Sequence, residues 1–342
     1  MAELLSIRTA PSKMREELVK KKMQLQQYEF VGQHAACKTC TWTKKDLTDQ
    51  GVCYKGKFYG INSYRCVQMT PTQTCNHSCT FCWRDLDSHT AISMTEKIDE
   101  PKDIIDGCIK AQWRQLGGYG GHEKVNKSKF KKIKDPLHFA ISLNGEPTIY
   151  PKIGELVKEI TERGMSSYLV TNGTFPEKIK KMYENDQLPT QFYLSVDAPN
   201  KELFNAIDRP LTPDCWDRFM KTLLMFPKLK KKTRTTLRFT MLKGINMIHP
   251  EQWAEIIKLS EPMFVEVKSY MFVGSSRQRL TIDNMPFHEE IKQFALEICK
   301  HSGYKLIDEH KQSRVVLLMK EDFSGRIIDF SNVKTKNKNI FK

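Results

Sequence analysis

Ten cysteines are spread unevenly over 342 residues. Seven lie between Cys37 and Cys82, and three of these form the tract Cys75-Asn-His-Ser-Cys79-Thr-Phe-Cys82. Three thiolates in one short loop suit a soft metal. An iron–sulfur cube usually takes four cysteine ligands, so a cube held by this loop alone keeps one iron open to a substrate. A zinc ion with His77 or a distant residue as fourth ligand is the other reading, but zinc knuckles usually come in pairs and no second CxxC follows at the usual distance. Cys40, Cys53 and Cys66 make a second set, with twelve residues in each gap. Cys37 forms a CxxC with Cys40. It reads as a bystander, the alternative being a fourth ligand that closes the second site. Cys108, Cys215 and Cys299 fall in helical tracts and read as small buried apolar residues.

Such ligands need elements to position them. The first 30 residues read as a basic helix opened by Pro11-Ser12, and residues 31–63 show neither helical nor strand periodicity, as expected of a segment organised by a metal cluster. From Tyr64 onward, strands alternate with helices. The expected strands are Arg65–Met69, His138–Leu143, Ser167–Val170, Gln191–Val196, Thr235–Leu242 and Phe264–Phe272, each separated from the next by at least one helical tract. Lys305–Asp308 and Arg314–Met319 read as a short antiparallel pair, and the chain after Ser324 as a frayed tail. About six βα units imply a parallel sheet, open or curled into a barrel. Ligands in such folds sit beyond the carboxyl ends of the strands. Three strands end in polar tracts, Asn144-Gly145-Glu146-Pro147, Thr171-Asn172-Gly173 and Asp197-Ala198-Pro199. Each alone is ordinary turn chemistry. Together, downstream of a cysteine loop, they point to one site containing Glu146, Asn172 and Asp197.

Lysine and arginine exceed aspartate and glutamate by 15. An excess of this size suits a polyanionic partner, nucleic acid most simply, or serves solubility alone. Two dense runs are Lys124–Lys134, with six lysines, and Lys228–Arg234, with four lysines and an arginine. Arg277 and Arg279 add to this balance, and Trp83, Tyr270 and Phe272 offer rings that stack on a base or simply fill the core. No stretch of 18 apolar residues is present, so no membrane span is expected. Met1–Arg15 lacks the apolar stretch of a secretory signal, and the expected setting is cytoplasmic, where thiols stay reduced. Phosphate-loop and dinucleotide fingerprints are absent.

The CxxxCxxC loop after a first strand resembles the radical S-adenosylmethionine superfamily. The resemblance implies a partial (β/α)6 TIM-like barrel, with a 4Fe–4S cluster on Cys75, Cys79 and Cys82 whose open iron chelates S-adenosylmethionine. Gly145 and Glu146 occupy the place of the superfamily's methionine-binding motif, and Asn172, Ser195 and Asp197 match its ribose and adenine contacts. A narrower resemblance runs through Cys53-Tyr-Lys55-Gly-Lys57-Phe-Tyr-Gly60, Arg65–Pro71, Phe81–Arg84, Ile141–Pro147, Val170–Thr174, Leu188–Gln191, Tyr270–Gly274 and Arg279–Pro286. Over residues 28–320 the chain is similar to the tRNA 4-demethylwyosine synthase family. What this implies is a condensation of pyruvate with N1-methylguanosine beside the anticodon of phenylalanine tRNA, started by a 5′-deoxyadenosyl radical and accompanied by loss of the pyruvate carboxyl carbon. It implies a second 4Fe–4S cluster on Cys40, Cys53 and Cys66, and Lys55, Lys57 or Lys268 beside the pyruvate. Longer family members carry a flavodoxin-like domain, for which this chain has no room, so an external flavodoxin- or ferredoxin-type electron donor is expected. The expected organisation is an N-terminal cluster-binding segment at 1–63, a core with a short C-terminal extension at 64–320, and a basic tail at 321–342. The competing readings are another radical S-adenosylmethionine enzyme with an auxiliary cluster, and a zinc-stabilised tRNA-binding protein.

Overall fold

The computed structural model describes residues 12–86, 90–337 and 340. Among these, ten strands join in one sheet in the order β1-β2-β3-β4-β5-β6-β7-β8-β10-β9. The strands are β1 Glu29–Val31, β2 Ala35–Cys37, β3 Cys66–Thr70, β4 His138–Ile141, β5 Ser166–Thr171, β6 Gln191–Val196, β7 Arg234–Met241, β8 Phe264–Ser269, β9 Lys305–His310 and β10 Val315–Met319. Strands β3 to β8 pair in parallel, each with the next in sequence. The two-strand additions at each edge pair antiparallel. The result is the expected six-stranded partial barrel, open rather than closed.

Both faces of the parallel strands are covered, as such sheets require. On the outer face Leu237, Phe239 and Met241 of β7 and Val265 and Val267 of β8 pack into the main core with residues of the surrounding helices, among them Ile104 of α4 (Pro101–Gly117), Ile160 of α6 (Ile153–Glu162) and Trp253 of α11 (Pro250–Ser260). The inner face is filled at one end by Tyr54, Phe58, Tyr59, Tyr168, Tyr193 and Phe264. The other end is left for the site.

Residues 31–63 depart from the expectation of a segment without periodic structure. They contain β2, α2 (Thr41–Leu47) and α3 (Tyr54–Tyr59), and they bury Leu47, Phe58 and Tyr59 completely. Elements of three to seven residues are too short to display a period, so pattern reading passes over them. The tail departs as well. Ile328 N donates to the Tyr59 carbonyl at 3.0 Å, Lys336 N to the Arg163 carbonyl at 3.0 Å, and Phe330 meets His138 edge-on at 4.5 Å. Backbone hydrogen bonds hold a segment whose lysine-rich composition suggests fraying. The expected N-terminal basic helix is seen as α1 (Ser12–Leu25), and residues 1–11 lie outside the described residues.

Candidate active site

The tract 71–86 leaves the end of β3 and is hung from its neighbours by backbone hydrogen bonds. Ser78 N donates to the Asp208 carbonyl at 3.1 Å and Thr80 N to the Ile207 carbonyl at 2.8 Å, both at the end of α8 (Lys201–Asp208). Arg279 grips the loop from the other side, donating to the carbonyls of Thr80 and Cys82. Its guanidinium is therefore part of the loop's support, not a free phosphate contact. Gly145 is required beneath the loop. Its φ is +68°, and a Cβ there would lie 2.2 Å from the Thr72 carbonyl oxygen.

Cys75, Cys79 and Cys82 line a cavity of about 350 Å³. Glu146, Asn172, Ser195 and Asp197 line it too, together with Asp208, Arg238, Lys268 and Tyr270. The strand-end residues singled out from the sequence therefore meet at one place. Their roles differ. The Glu146 carboxylate accepts from Thr148 N at 3.0 Å, Thr148 Oγ1 at 2.5 Å, Thr171 Oγ1 at 2.6 Å and Asn172 N at 2.7 Å. Only the last of these reaches Oε2. Burial still holds the Glu146 carboxyl above the usual range. The Asn172 side chain is occupied, donating to Asn76 Oδ1 at 2.9 Å and accepting from Thr174. It braces the cysteine loop. Asp197 Oδ1 is buried without a hydrogen-bond partner, and burial pushes its carboxyl up to about 6. Asp208 accepts from Cys79 Sγ at 3.2 Å and is pushed well up by burial and by Asp197.

Cys40, Cys53 and Cys66 line a second cavity of about 380 Å³. Cys40 is the N-cap of α2, Cys53 is the N-cap of α3 and Cys66 opens β3. Lys55, the second residue of α3, is buried there with its Nζ 4.3 Å from the centre of the Tyr193 ring. Burial lowers its pKa, with Arg238 adding to the shift and Glu266 opposing it. Lys268 lines both cavities and burial lowers it to about 8. Lys57 lies elsewhere. It is half exposed, pairs with Asp308 at 2.8 Å and donates to the Glu309 carbonyl at 2.6 Å. Cys37 is fully buried in the outer core beside Cys108, turned away from the second cavity. The two cavities adjoin. Trp83, Ser142, Leu143, Arg238, Lys268 and Met271 line both.

The donor sets fit metal clusters better than single ions. Burial raises the Cys75 thiol to about 11 and the Cys53 thiol to about 12, and pushes Cys40, Cys66 and Cys79 up as well. Neighbouring thiols that resist ionising together lose their protons to solvent when a cation binds the thiolates. A tetrahedral zinc brings its thiolates to roughly 3.8 Å of one another, given Zn–S bonds of about 2.3 Å. Among the described residues, the three-ligand set gathered within 4.8 Å is His77, Cys79 and Asp208, and neither cysteine trio is drawn in so tightly. A cube gives each cysteine its own iron and needs the wider spacing.

Two family profiles cover most of the chain. Residues 69–257 match the Radical SAM superfamily and residues 259–320 match Wyosine base formation. An S-adenosyl-L-methionine-dependent tRNA 4-demethylwyosine synthase from Pyrococcus abyssi is 48% identical over 299 residues, 87% of each chain. The chain belongs to the tRNA 4-demethylwyosine synthase family. The Homo sapiens member is 36% identical over 312 residues, which are 91% of this chain and 41% of that longer one. Among solved structures, one described as TYW1 with a lysine–pyruvate adduct bound has a TM-score of 0.78 at 35% identity, covering 88% of this chain and 95% of the other. An archaeal TYW1 crystal structure has a TM-score of 0.72 at 31% identity, covering 91% and 97%.

Within this family architecture, pattern reading missed Arg238, Asp208 and Glu266. The signal for two of them was present. Arg238 in Thr236-Leu-Arg238-Phe-Thr240 and Glu266 in Phe264-Val-Glu266-Val-Lys268 are charges on one phase of an alternating strand, and that phase faces the barrel interior. Asp208 ends a helix that the sequence reading did not include. The lysine runs, read from the sequence as suiting a polyanionic partner or as serving solubility, lie at the amino ends of strands. Lys124–Lys134 precedes β4 and Lys228–Arg234 precedes β7, so both lie at the strand ends opposite the Cys75–Cys82 loop. Lys129, Lys230 and Lys232 are engaged with Asp46, Glu261 and Asp186. No described helix is long and apolar enough to cross a membrane.

Proposed function

We propose that this chain condenses pyruvate with N1-methylguanosine beside the anticodon of phenylalanine tRNA to form 4-demethylwyosine. The observation that carries the reading is the meeting of two cysteine trios on adjoining cavities with a common wall. Cys75, Cys79 and Cys82 would hold one 4Fe–4S cluster, and Cys40, Cys53 and Cys66 a second. When bound, the first cluster with S-adenosylmethionine supplies a 5′-deoxyadenosyl radical to take hydrogen from the N1-methyl group, and the second offers an open iron to the oxygens of the keto acid. Gly145, Glu146, Ser195 and Asp197 would face S-adenosylmethionine, with Oε2 of Glu146 and the partnerless Oδ1 of Asp197 as acceptors for cationic or hydroxyl groups. Asn172 contributes by bracing the loop.

Lys55 is our choice for the pyruvate lysine. It is enclosed among the second trio, and its lowered pKa favours the free amine that attacks a carbonyl. Nζ adds to the keto carbon and the keto oxygen leaves as water, giving an imine that keeps its carboxylate oxygens for the open iron and its neighbours. Lys57, tied to Asp308 outside, is set aside for this role. The relative with a lysine–pyruvate adduct supports the same chemistry here. The reductant would be an external flavodoxin- or ferredoxin-type donor. Ten free cysteines suit the reducing cytoplasm.

Anaerobic reconstitution with iron and sulfide tests the reading. About eight irons are expected in the wild type and about four in Cys75→Ala/Cys79→Ala/Cys82→Ala or in Cys40→Ala/Cys53→Ala/Cys66→Ala. Addition of S-adenosylmethionine, a reductant, pyruvate and tRNA bearing N1-methylguanosine should give the tricyclic base, detected by mass after nuclease digestion. Zinc uptake without iron overturns the proposal.

A further inference from the structure

Arg238 stands on the wall common to both cavities. In the sheet it is opposite Ser195 of β6 on one side and Glu266 of β8 on the other. The carboxylate in register with it is already engaged. Glu266 Oε1 accepts from Tyr59 Oη at 2.8 Å and Oε2 from Tyr54 Oη at 3.0 Å. Among the described residues, Arg238 makes no hydrogen bond and no ion pair. A guanidinium cannot shed its charge, and the N–H donors of this half-buried side chain open onto the cavity space. A cation held in a barrel interior with its donors free is prepared for an anion that enters the cavity.

The surroundings narrow the choice of anion. Lys268, two positions beyond Glu266 on the same face of β8, spends one donor on the Ser313 carbonyl at 3.0 Å. Lys55 rests on Tyr193, which lies two residues before Ser195 on the same face of β6. The charge of Arg238 is felt by Tyr54, Glu266, Asp197 and Tyr193, and of these Glu266 and Tyr193 also neighbour Lys55. On its second-cavity side the wall therefore offers three cations around Glu266, whose two oxygens are both engaged, while Asp197 faces Arg238 from the first cavity. A keto acid joined through its second carbon to Lys55 Nζ carries its carboxylate one bond away from that carbon. The planar fork of a guanidinium matches a carboxylate through two parallel hydrogen bonds, which an ammonium cannot do.

We propose that Arg238 binds the carboxylate of pyruvate, fixing the keto acid at the wall between the two cysteine trios. This rests on the reading of the chain as a pyruvate-using enzyme. Arg238 thereby sets the orientation of the bond between the carboxylate and keto carbons, and it selects α-keto acids over neutral carbonyl compounds.

The experiment is equilibrium dialysis of the reconstituted enzyme against labelled pyruvate and, separately, labelled S-adenosylmethionine, with wild type, Arg238→Gln and Arg238→Lys. Iron content and circular dichroism serve as folding controls. Arg238→Gln should weaken pyruvate binding at least about tenfold, the scale of a lost charge-assisted double hydrogen bond. S-adenosylmethionine binding should be unchanged. Arg238→Lys should recover part of the loss, because it restores the charge without the fork. If Arg238→Gln does not fold, Arg238→Lys decides, with pyruvate weakened and S-adenosylmethionine unaffected. Weakened S-adenosylmethionine binding with pyruvate intact assigns Arg238 to the methionine carboxylate and overturns the proposal, as does unchanged binding of both. Borohydride trapping separates this result from the lysine chemistry. Pyruvate that binds the wild type but is not trapped removes the Lys55 adduct and leaves the Arg238 result standing. A wild type that binds no pyruvate overturns both.

Discussion

The two cysteine cavities share a wall with Arg238 and Lys268 on it, but only one of them is lined by carboxylates. Glu146, Asp197 and Asp208 line the loop-trio cavity, and burial pushes all three carboxyls upward. The second cavity is lined by Lys55, Arg238 and Lys268 and by no carboxylate. Burial lowers the pKa of both lysines. The carboxylates confined to the first cavity suit the ammonium and sulfonium charges of S-adenosylmethionine. A donor-rich site suits a keto acid anion. The cavities also differ in how their ligands are assembled. Cys75, Cys79 and Cys82 come from one loop, whereas Cys40, Cys53 and Cys66 each stand at the start of a different element. One trio is fixed by local chain geometry and the other by packing of α2, α3 and β3.

The largest expected effect separates the cysteine trios. Cys79→Ala should abolish both 5′-deoxyadenosine formation and base formation. Cys53→Ala should abolish base formation but leave 5′-deoxyadenosine release measurable by chromatography. Equal loss of both products in the two variants would merge the cavities into one functional unit. Next, Lys55→Met should eliminate borohydride trapping of labelled pyruvate, read by intact mass, while Lys57→Ala should trap as the wild type does. Trapping that survives Lys55→Met would transfer the role to Lys268.

Smaller effects concern stability. Gly145→Ala places a Cβ against the Thr72 carbonyl at a positive φ, and should cost about 2–4 kcal/mol in urea unfolding of the reconstituted protein. Asp197 tests the acid wall. Its folded pKa of about 6 lies above the ordinary carboxyl value, so the folded chain binds more protons than the unfolded one between about pH 4 and 6. Its contribution is fully present below that window and is lost as pH rises through 6. Asp197→Asn should flatten this fall and stabilise the protein at pH 7.5 by about 1–3 kcal/mol in urea titrations. The smallest effect is Lys57→Ala. Its exposed pair with Asp308 is expected to contribute only about 0–1 kcal/mol, within a few degrees of the wild-type melting temperature.

How much was legible follows the same division. The CxxxCxxC loop, the strand ends Glu146 and Asp197, and the six parallel strands could be read directly, because each is a local pattern or a long periodic run. The positions of α2, α3 and α8 could not, since short elements carry no period and are stabilised only by what they pack against. Asn172 illustrates the limit. Its place at a strand end was correctly anticipated, yet its side chain is engaged by Asn76 and Thr174 from distant or neighbouring loop segments. Lys55 and Lys57 share one short tract, and only the rotation of α3 decides that one enters the cavity and the other meets Asp308.

The sequence by itself determined the donor types, the loop trio, the parallel α/β class and the basic balance, because spacing and composition are properties of the chain. Tertiary structure alone decided that the dispersed cysteines share one cavity, that this cavity adjoins the first, and that Arg238 stands between them with its donors free. Those are statements about strand register and about which face of a strand or helix looks inward. Register fixes them only when the sheet is assembled and both of its faces are buried.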